Sequence, residues 1–177
     1  MKNPRVKKIL SALLALFVLI QFVRIDRSVP KYELSHDFAV VTHVPPQMEQ
    51  RIKSSCYDCH SYETHYPWYS QVAPVSWFLR KHIKEGRKHL NFSTWGEVKH
   101  NTQLHLLEEA YEEVMEGEMP LRAYVLMHGE AKMNEAERKE LAEGFKQIYL
   151  DMGGDPQTFG EEDEGEEHEH EGESHEH

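Results

Sequence analysis

Cys56-Tyr57-Asp58-Cys59-His60 is the stretch that decides how the rest of the chain is read. It uses the only two cysteines among 177 residues, and a histidine follows the second at once. Thiols spaced in this way add across the vinyl groups of a haem while the adjacent histidine ligates the iron. On a helical turn Cys56, Cys59 and His60 are related by i, i+3 and i+4. They then share one face, which is what holding one edge of a flat macrocycle and reaching its iron requires. Three other readings compete. A zinc site needs two more ligands, and there is no second cysteine pair, although the chain has 13 histidines. A redox dithiol wants a βαβ context, which the pattern does not supply. The third is chance.

The two ends of the chain differ from its middle. Lys2, Arg5, Lys7 and Lys8 precede an apolar run from Ile9 to Val23 that is broken only by Ser11 and Gln21. This is the shape of a secretory signal, but no small-residue cleavage site follows it. Residues 1–27 therefore read as an uncleaved membrane anchor, a transmembrane helix whose lysine stems snorkel to lengthen a short span. Four basic residues before the run and two after it, Arg24 and Arg27, put the N-terminus in the cytoplasm. Covalent attachment of haem is export-side chemistry in bacteria and agrees, so the domain is expected at the cytoplasmic membrane, facing the periplasm. At the other end, residues 151–177 hold 12 acidic residues and no Lys or Arg. Without them the formal net charge of −11 becomes about +1 for residues 1–150. The domain itself has no basic stripe, which argues against nucleic acid as a partner. The Glu/His tail has too little apolar surface to fold and reads as disordered. Its His168, His170, His175 and His177 are candidates for weak divalent-metal binding.

Between these ends, residues 28–150 form one haem-binding domain with helical periodicity and no sustained alternation. The fold class is all-α. Pro45-Pro46 opens a helix on which Met48, Ile52 and Cys56 align, leading into the motif. Residues 61–73 form an aromatic-rich loop. Pro74 starts a second helix with Val75, Phe78, Leu79, His82 and Ile83 on one face, and Gly86 lies near its close. Ser93-Thr94-Trp95 caps a short segment. A third helix covers residues 102–116 with Leu104, Leu107, Tyr111 and Val114 on a stripe, and Gly117 ends it. Asn134 and Glu137 make a capping-box start for a fourth, whose stripe is Leu141, Phe145 and Ile148. A domain of this size has a limited core of its own.

His60 fills one side of the iron. For the other, Met119-Pro120 stands just past a helix end, where a loop can swing a thioether inward. Met115, Met127 and Met133 are rivals, as are His82, His89, His105 and His128. Trp68, Tyr69 and Trp77, with Tyr66, are candidates to wall the macrocycle and reach its propionates through an indole N–H or phenol O–H. Arg80, Lys81, Arg87 and Arg122 are candidate propionate partners, against the simpler reading of solvated surface cations.

The motif with Ser61, then Tyr66-Pro67-Trp68-Tyr69-Ser70 and Ala73-Pro74-Val75-Ser76-Trp77, resembles the bacterial haem-binding domain family of single-haem, cytochrome c-like proteins. So do Glu85-Gly86-Arg87, Leu90-Asn91-Phe92-Ser93-Thr94-Trp95, Gly117-Glu118-Met119-Pro120-Leu121 and Tyr124-Val125-Leu126-Met127-His128. The resemblance covers roughly residues 36–150, and such proteins carry an N-terminal membrane segment. It implies a small cytochrome c-like helical domain around one covalent haem c, with His60 and Met119 as the iron's axial metal ligands.

Two classes of function follow. With both axial positions filled the protein is a membrane-tethered electron carrier and not an enzyme, and a redox partner protein is implied. The alternative is a haem enzyme or gas sensor with an open distal site, in which His65 or His128 would serve as acid and base. A third, weaker reading is a binding module in which the haem is a structural plug.

Overall fold

The computed structural model describes residues 3–160. In chain order the helices are α1 (Pro4–Ile20), α2 (Phe38–Thr42), α3 (Pro46–Ser55), α4 (Tyr57–His60), α5 (Val75–His89), α6 (His100–Glu116), α7 (Arg122–Met127) and α8 (Glu135–Asp151). Short 3-10 turns lie at Leu34–His36, Trp68–Gln71, Phe92–Glu97 and Gly129–Ala131. Among the described residues there is no strand, so the all-α expectation holds.

The helix ends follow from side-chain chemistry. Asp37 accepts from the Ala39 backbone N–H at the head of α2, and Asn134 and Glu137 cap each other's backbone ahead of α8. Gly117 stops α6 in the left-handed region at φ 77°, where any Cβ would run into the Arg138 guanidinium. α3 ends at Ser55 because Cys56 leaves helical geometry at φ −124°.

α6 packs along α8, burying Leu107 and Val114 against Leu141, Phe145 and Ile148. At the centre stands Phe38, with no exposed surface, on the short α2 that the sequence periodicity does not announce. Its ring meets Phe92 and Trp95 edge-on, each at 5.0 Å between centroids, and Phe145 at 6.2 Å. Each such pair adds about 0.5–1.5 kcal/mol beyond burial. The cluster continues outward: Phe92 stacks on Tyr57 at 5.2 Å and lies 6.4 Å from the His60 ring. The core therefore extends into the cysteine–histidine motif.

Two sequence expectations need correction. The stripe on α5 does not all face inward: Ile83 is buried together with Ser76, whereas Val75 and Phe78 stand exposed. The described part of the anchor expected over residues 1–27 holds no helix long enough to span. α1 has 17 residues, about 25 Å at 1.5 Å per residue, short of the ~30 Å hydrocarbon core. Among the described residues no helix is long and apolar enough to cross a membrane. The cause is Gln21, whose side-chain amide donates to the Phe17 and Ala73 carbonyls and accepts from the Ala73 N–H. The chain after it becomes a strap on the domain. Arg24 donates to Gln71 and Arg27 to Ser70, while the Val23 and Asp26 carbonyls accept from Trp77 and Arg80.

Beyond α8, Phe159 packs edge-on against Tyr111 and Tyr149, so the folded domain runs past residue 150. The four tail histidines lie outside the described residues.

Candidate haem-binding site

The motif is one helical turn. Cys59 and His60 both donate their backbone N–H to the Cys56 carbonyl, at 3.1 and 2.9 Å. The two residues between the cysteines are fixed in opposite directions. Tyr57 is buried on the core side, with its hydroxyl 2.9 Å from Asp37 Oδ1. Asp58 turns the other way. Its Oδ1 accepts from the His65 backbone N–H at 2.7 Å, and its Oδ2 from the Tyr124 hydroxyl at 2.9 Å. Its carbonyl takes the Thr64 hydroxyl at 2.6 Å.

Both cysteines are free and mostly covered by protein. Burial pushes the Cys56 thiol up to about 12, and pushes Cys59 up to about 11 with help from the Asp58 carboxylate. A redox dithiol works through a low-pKa thiolate, so these sulfurs are poorly suited to that chemistry. A thioether has no proton to lose and bears such burial without penalty. The zinc reading also loses support: among the described residues no group of three or more His, Cys, Asp or Glu is placed to hold a metal ion.

His60 is set up as a ligand. Its Nδ1 lies 3.0 Å from the Leu90 carbonyl, which can only accept, so Nδ1 carries the proton and Nε2 keeps its lone pair. Burial lowers the imidazole pKa and so favours this neutral form. The arrangement is the outer-sphere hydrogen bond that orients metal-bound histidines. Gly86 allows it, because a Cβ there would sit 2.9 Å from the Cys59 carbonyl oxygen and 3.4 Å from His60 Cε1. α5 can lie this close to the motif only without a side chain at that point.

Arg87, the residue after Gly86, is not free for a propionate. Its Nε donates to the Ser61 carbonyl at 2.7 Å and its Nη2 to Thr64 Oγ1 at 2.8 Å, under the Tyr62 ring. It braces the loop that leaves the motif. Arg80 is engaged with Asp26, and Lys81 lines a groove between α5 and the strap.

Met119 follows Gly117, and the Glu118 and Met119 N–H groups both reach the Glu113 carbonyl at 3.0 Å. The thioether is partly buried against the core and lines a cavity of about 490 Å³. Arg122, Lys132 and Arg138 border that cavity, as does the rival Met133. The Arg138 Nε is buried without a hydrogen-bond partner. A half-buried cation with an open Nε donor beside a thioether suits an acidic group such as a haem propionate. Sequence reading missed Arg138, because on α8 it looks like any surface helix cation. The residues lining this cavity do not include Cys56, Cys59 or His60. The link to the motif runs instead through Tyr124, on the segment after Met119, which donates to Asp58. Met115 and Met127 are exposed.

The expected aromatic wall divides. Tyr69 donates to His128 Nε2 at 2.7 Å, since the Glu130 carboxylate 3.1 Å from Nδ1 fixes the neutral ring's proton there. Tyr124 stacks on the His128 ring at 4.2 Å. Trp68 is 75% exposed, edge-on to Tyr69. Trp77 spends its indole N–H on the Val23 carbonyl, 3.0 Å away in the strap. His65 has a side chain 93% exposed, and His105 pairs with Glu109 at the surface. His82 bonds the carbonyl of Phe78 on its own helix.

A helical domain whose core leads to a Cys-x-x-Cys-His turn, with a neutral imidazole holding one nitrogen in reserve, is a haem-binding module. The chain belongs to the haem-binding domain family, whose match, described as Haem-binding domain, covers residues 15–147. Neither the curated proteins nor the solved structures compared with the chain gave a match.

Proposed function

We propose that the protein is a single-haem carrier of electrons, holding haem c covalently through Cys56 and Cys59 and ligating it through His60 and Met119. A haem with both axial positions filled exchanges one electron and offers no open site to substrate. The observation that carries the reading is the His60 ring: its Nδ1–H is spent on Leu90, leaving Nε2 unprotonated on the same helical turn as two half-buried cysteines. Met119 is the proposed second ligand because it sits, partly buried, in a cavity bordered by Arg138, whose buried Nε has no hydrogen-bond partner among the described residues.

The domain is proposed to work on the periplasmic side of the bacterial cytoplasmic membrane, attached by α1 lying in the interface between headgroups and acyl chains. The helix is apolar and exposed on every side, with Leu10, Leu13, Leu14 and Phe17 all open, and it is basic at its start. A periplasmic protein is the implied electron donor or acceptor. A distal acid-base histidine, which an enzyme would need, finds little support. Both nitrogens of His128 are engaged, and His65 lies in solvent.

The test is an optical spectrum of the full chain matured in an export compartment and reduced, before and after CO, with the intact mass. A mass increase by one haem and a low-spin spectrum unmoved by CO are expected. A spectrum shifted by CO would overturn the carrier reading, and loss of haem on acid extraction would overturn covalent attachment.

A further inference from the structure

The strap and α5 enclose an open groove of about 520 Å³ directly after the end of α1. Arg24, Arg80, Lys81 and Lys84 line it, against Asp26 and Glu85, so the balance is cationic. Arg80 is held by Asp26, whereas Lys81 and Lys84 stand exposed. Trp77 lines the groove, and Phe78, three residues before Lys81 on α5, presents apolar surface that is 60% exposed. None of these residues is used by the haem site. Nor is the placement loose, because Gln21, Arg24, Trp77 and Arg80 fasten the strap to the domain in four separate places.

We infer that this face of α5 and the strap is a membrane-surface docking site whose groove takes the phosphate headgroups of anionic lipids. The inference rests on the proposed attachment by α1. With α1 lying in the membrane interface, its basic start and its C-terminal end both stand at the headgroup layer, and the strap holds the groove at that level. Cations there neutralise lipid phosphates, and indole and phenyl rings lie where apolar and wet regions meet. Each Lys or Arg close to an anionic surface strengthens association about fivefold. The neighbouring α1 and the sign of the groove together select a lipid surface as the occupant. A consequence is a fixed orientation: the haem domain would stand over the bilayer on one face and not swing on a tether.

The test uses the full haem-loaded chain in vesicles of phosphatidylcholine, with or without phosphatidylglycerol. Flotation reads attachment. A benzoylphenylalanine photo-crosslinker in place of Phe78 reads docking through its lipid adduct. Floating with both vesicle types, with an adduct several-fold more abundant on anionic vesicles, is expected. In K81Q/K84Q, with folding checked by circular dichroism, that ratio falls to about one while flotation persists. Flotation without an adduct, or an adduct indifferent to lipid charge and to the two lysines, overturns the docking site and leaves attachment standing. Failure to float with either vesicle overturns both.

Discussion

Tyr124→Phe removes a single oxygen and tests how the segment after Met119 is joined to the haem motif. The ring's stacking on His128, 4.2 Å between centroids, survives the change. What is lost is the hydroxyl's donation to Asp58 Oδ2 at 2.9 Å, together with a long 3.4 Å contact to the Ser54 carbonyl. A hydrogen bond to a charged group contributes about 1.5–3 kcal/mol. Only 14% of the Asp58 side chain is exposed, so water replaces the hydroxyl incompletely. We therefore expect a loss of about 2 kcal/mol in urea unfolding of the haem-loaded chain in detergent, a midpoint shift of roughly 1 M. Asp58→Asn should cost a similar amount, and the double variant should cost less than the sum by about 1–2 kcal/mol. The looser segment should also let CO bind to a fraction of the variant, whereas the parent spectrum stays unmoved by CO. A loss below about 0.5 kcal/mol, or strict additivity of the two changes, would refute the claim that this bond joins the two halves of the site.

Three further outcomes follow from the same geometry. Met119→Ala should lower the reduction potential and open the iron to CO, because a neutral thioether ligand raises the potential of a histidine-ligated haem; potentiometry with an unchanged potential would exonerate Met119. In the haem-free chain, burial lowers the His60 pKa below the ordinary histidine value of about 6.5, so the unfolded chain binds the proton first and stability falls as pH drops through and below that value. His60→Gln should flatten this part of the pH profile in urea melts at about pH 7 and about pH 5, whereas an unchanged slope would remove His60 as its source. Phe38→Ala should cost about 3–5 kcal/mol in thermal or urea unfolding, since the ring is wholly buried among Phe92, Trp95 and Phe145.

The long helices and their ends were legible because their signals are local. Gly117 stops α6, Pro46 opens α3, and Asn134 with Glu137 starts α8, each through backbone chemistry within a few residues. The short α2 was not legible, since five residues show no period, yet it delivers Phe38 to the centre of the core. α1 was misjudged for a similar reason. Hydropathy carries the apolar run through Val23, but the Gln21 amide finds the Ala73 backbone, 52 positions away, and ends the helix at Ile20. The candidate site divides along the same line. The spacing of Cys56, Cys59 and His60 needs only one turn, whereas the duties of Arg87, Trp77 and Arg138 depend on partners distant in sequence.

The motif also explains why this domain needs so little else around it. Its five residues are all committed. Cys56, Cys59 and His60 are the proposed haem ligands, Tyr57 runs into the aromatic core, and Asp58 gathers the following loop and α7. The ring of His60 is held through Leu90, and α5 closes on the turn at Gly86. Motion in the core or in the segment after Met119 is therefore felt at the motif's backbone. Such a turn cannot shift to suit a substrate without disturbing both Tyr57 and Asp58. Rigidity of this kind favours a carrier, in which the ligand geometry should change little between oxidation states, over a site that must open and close around a reactant.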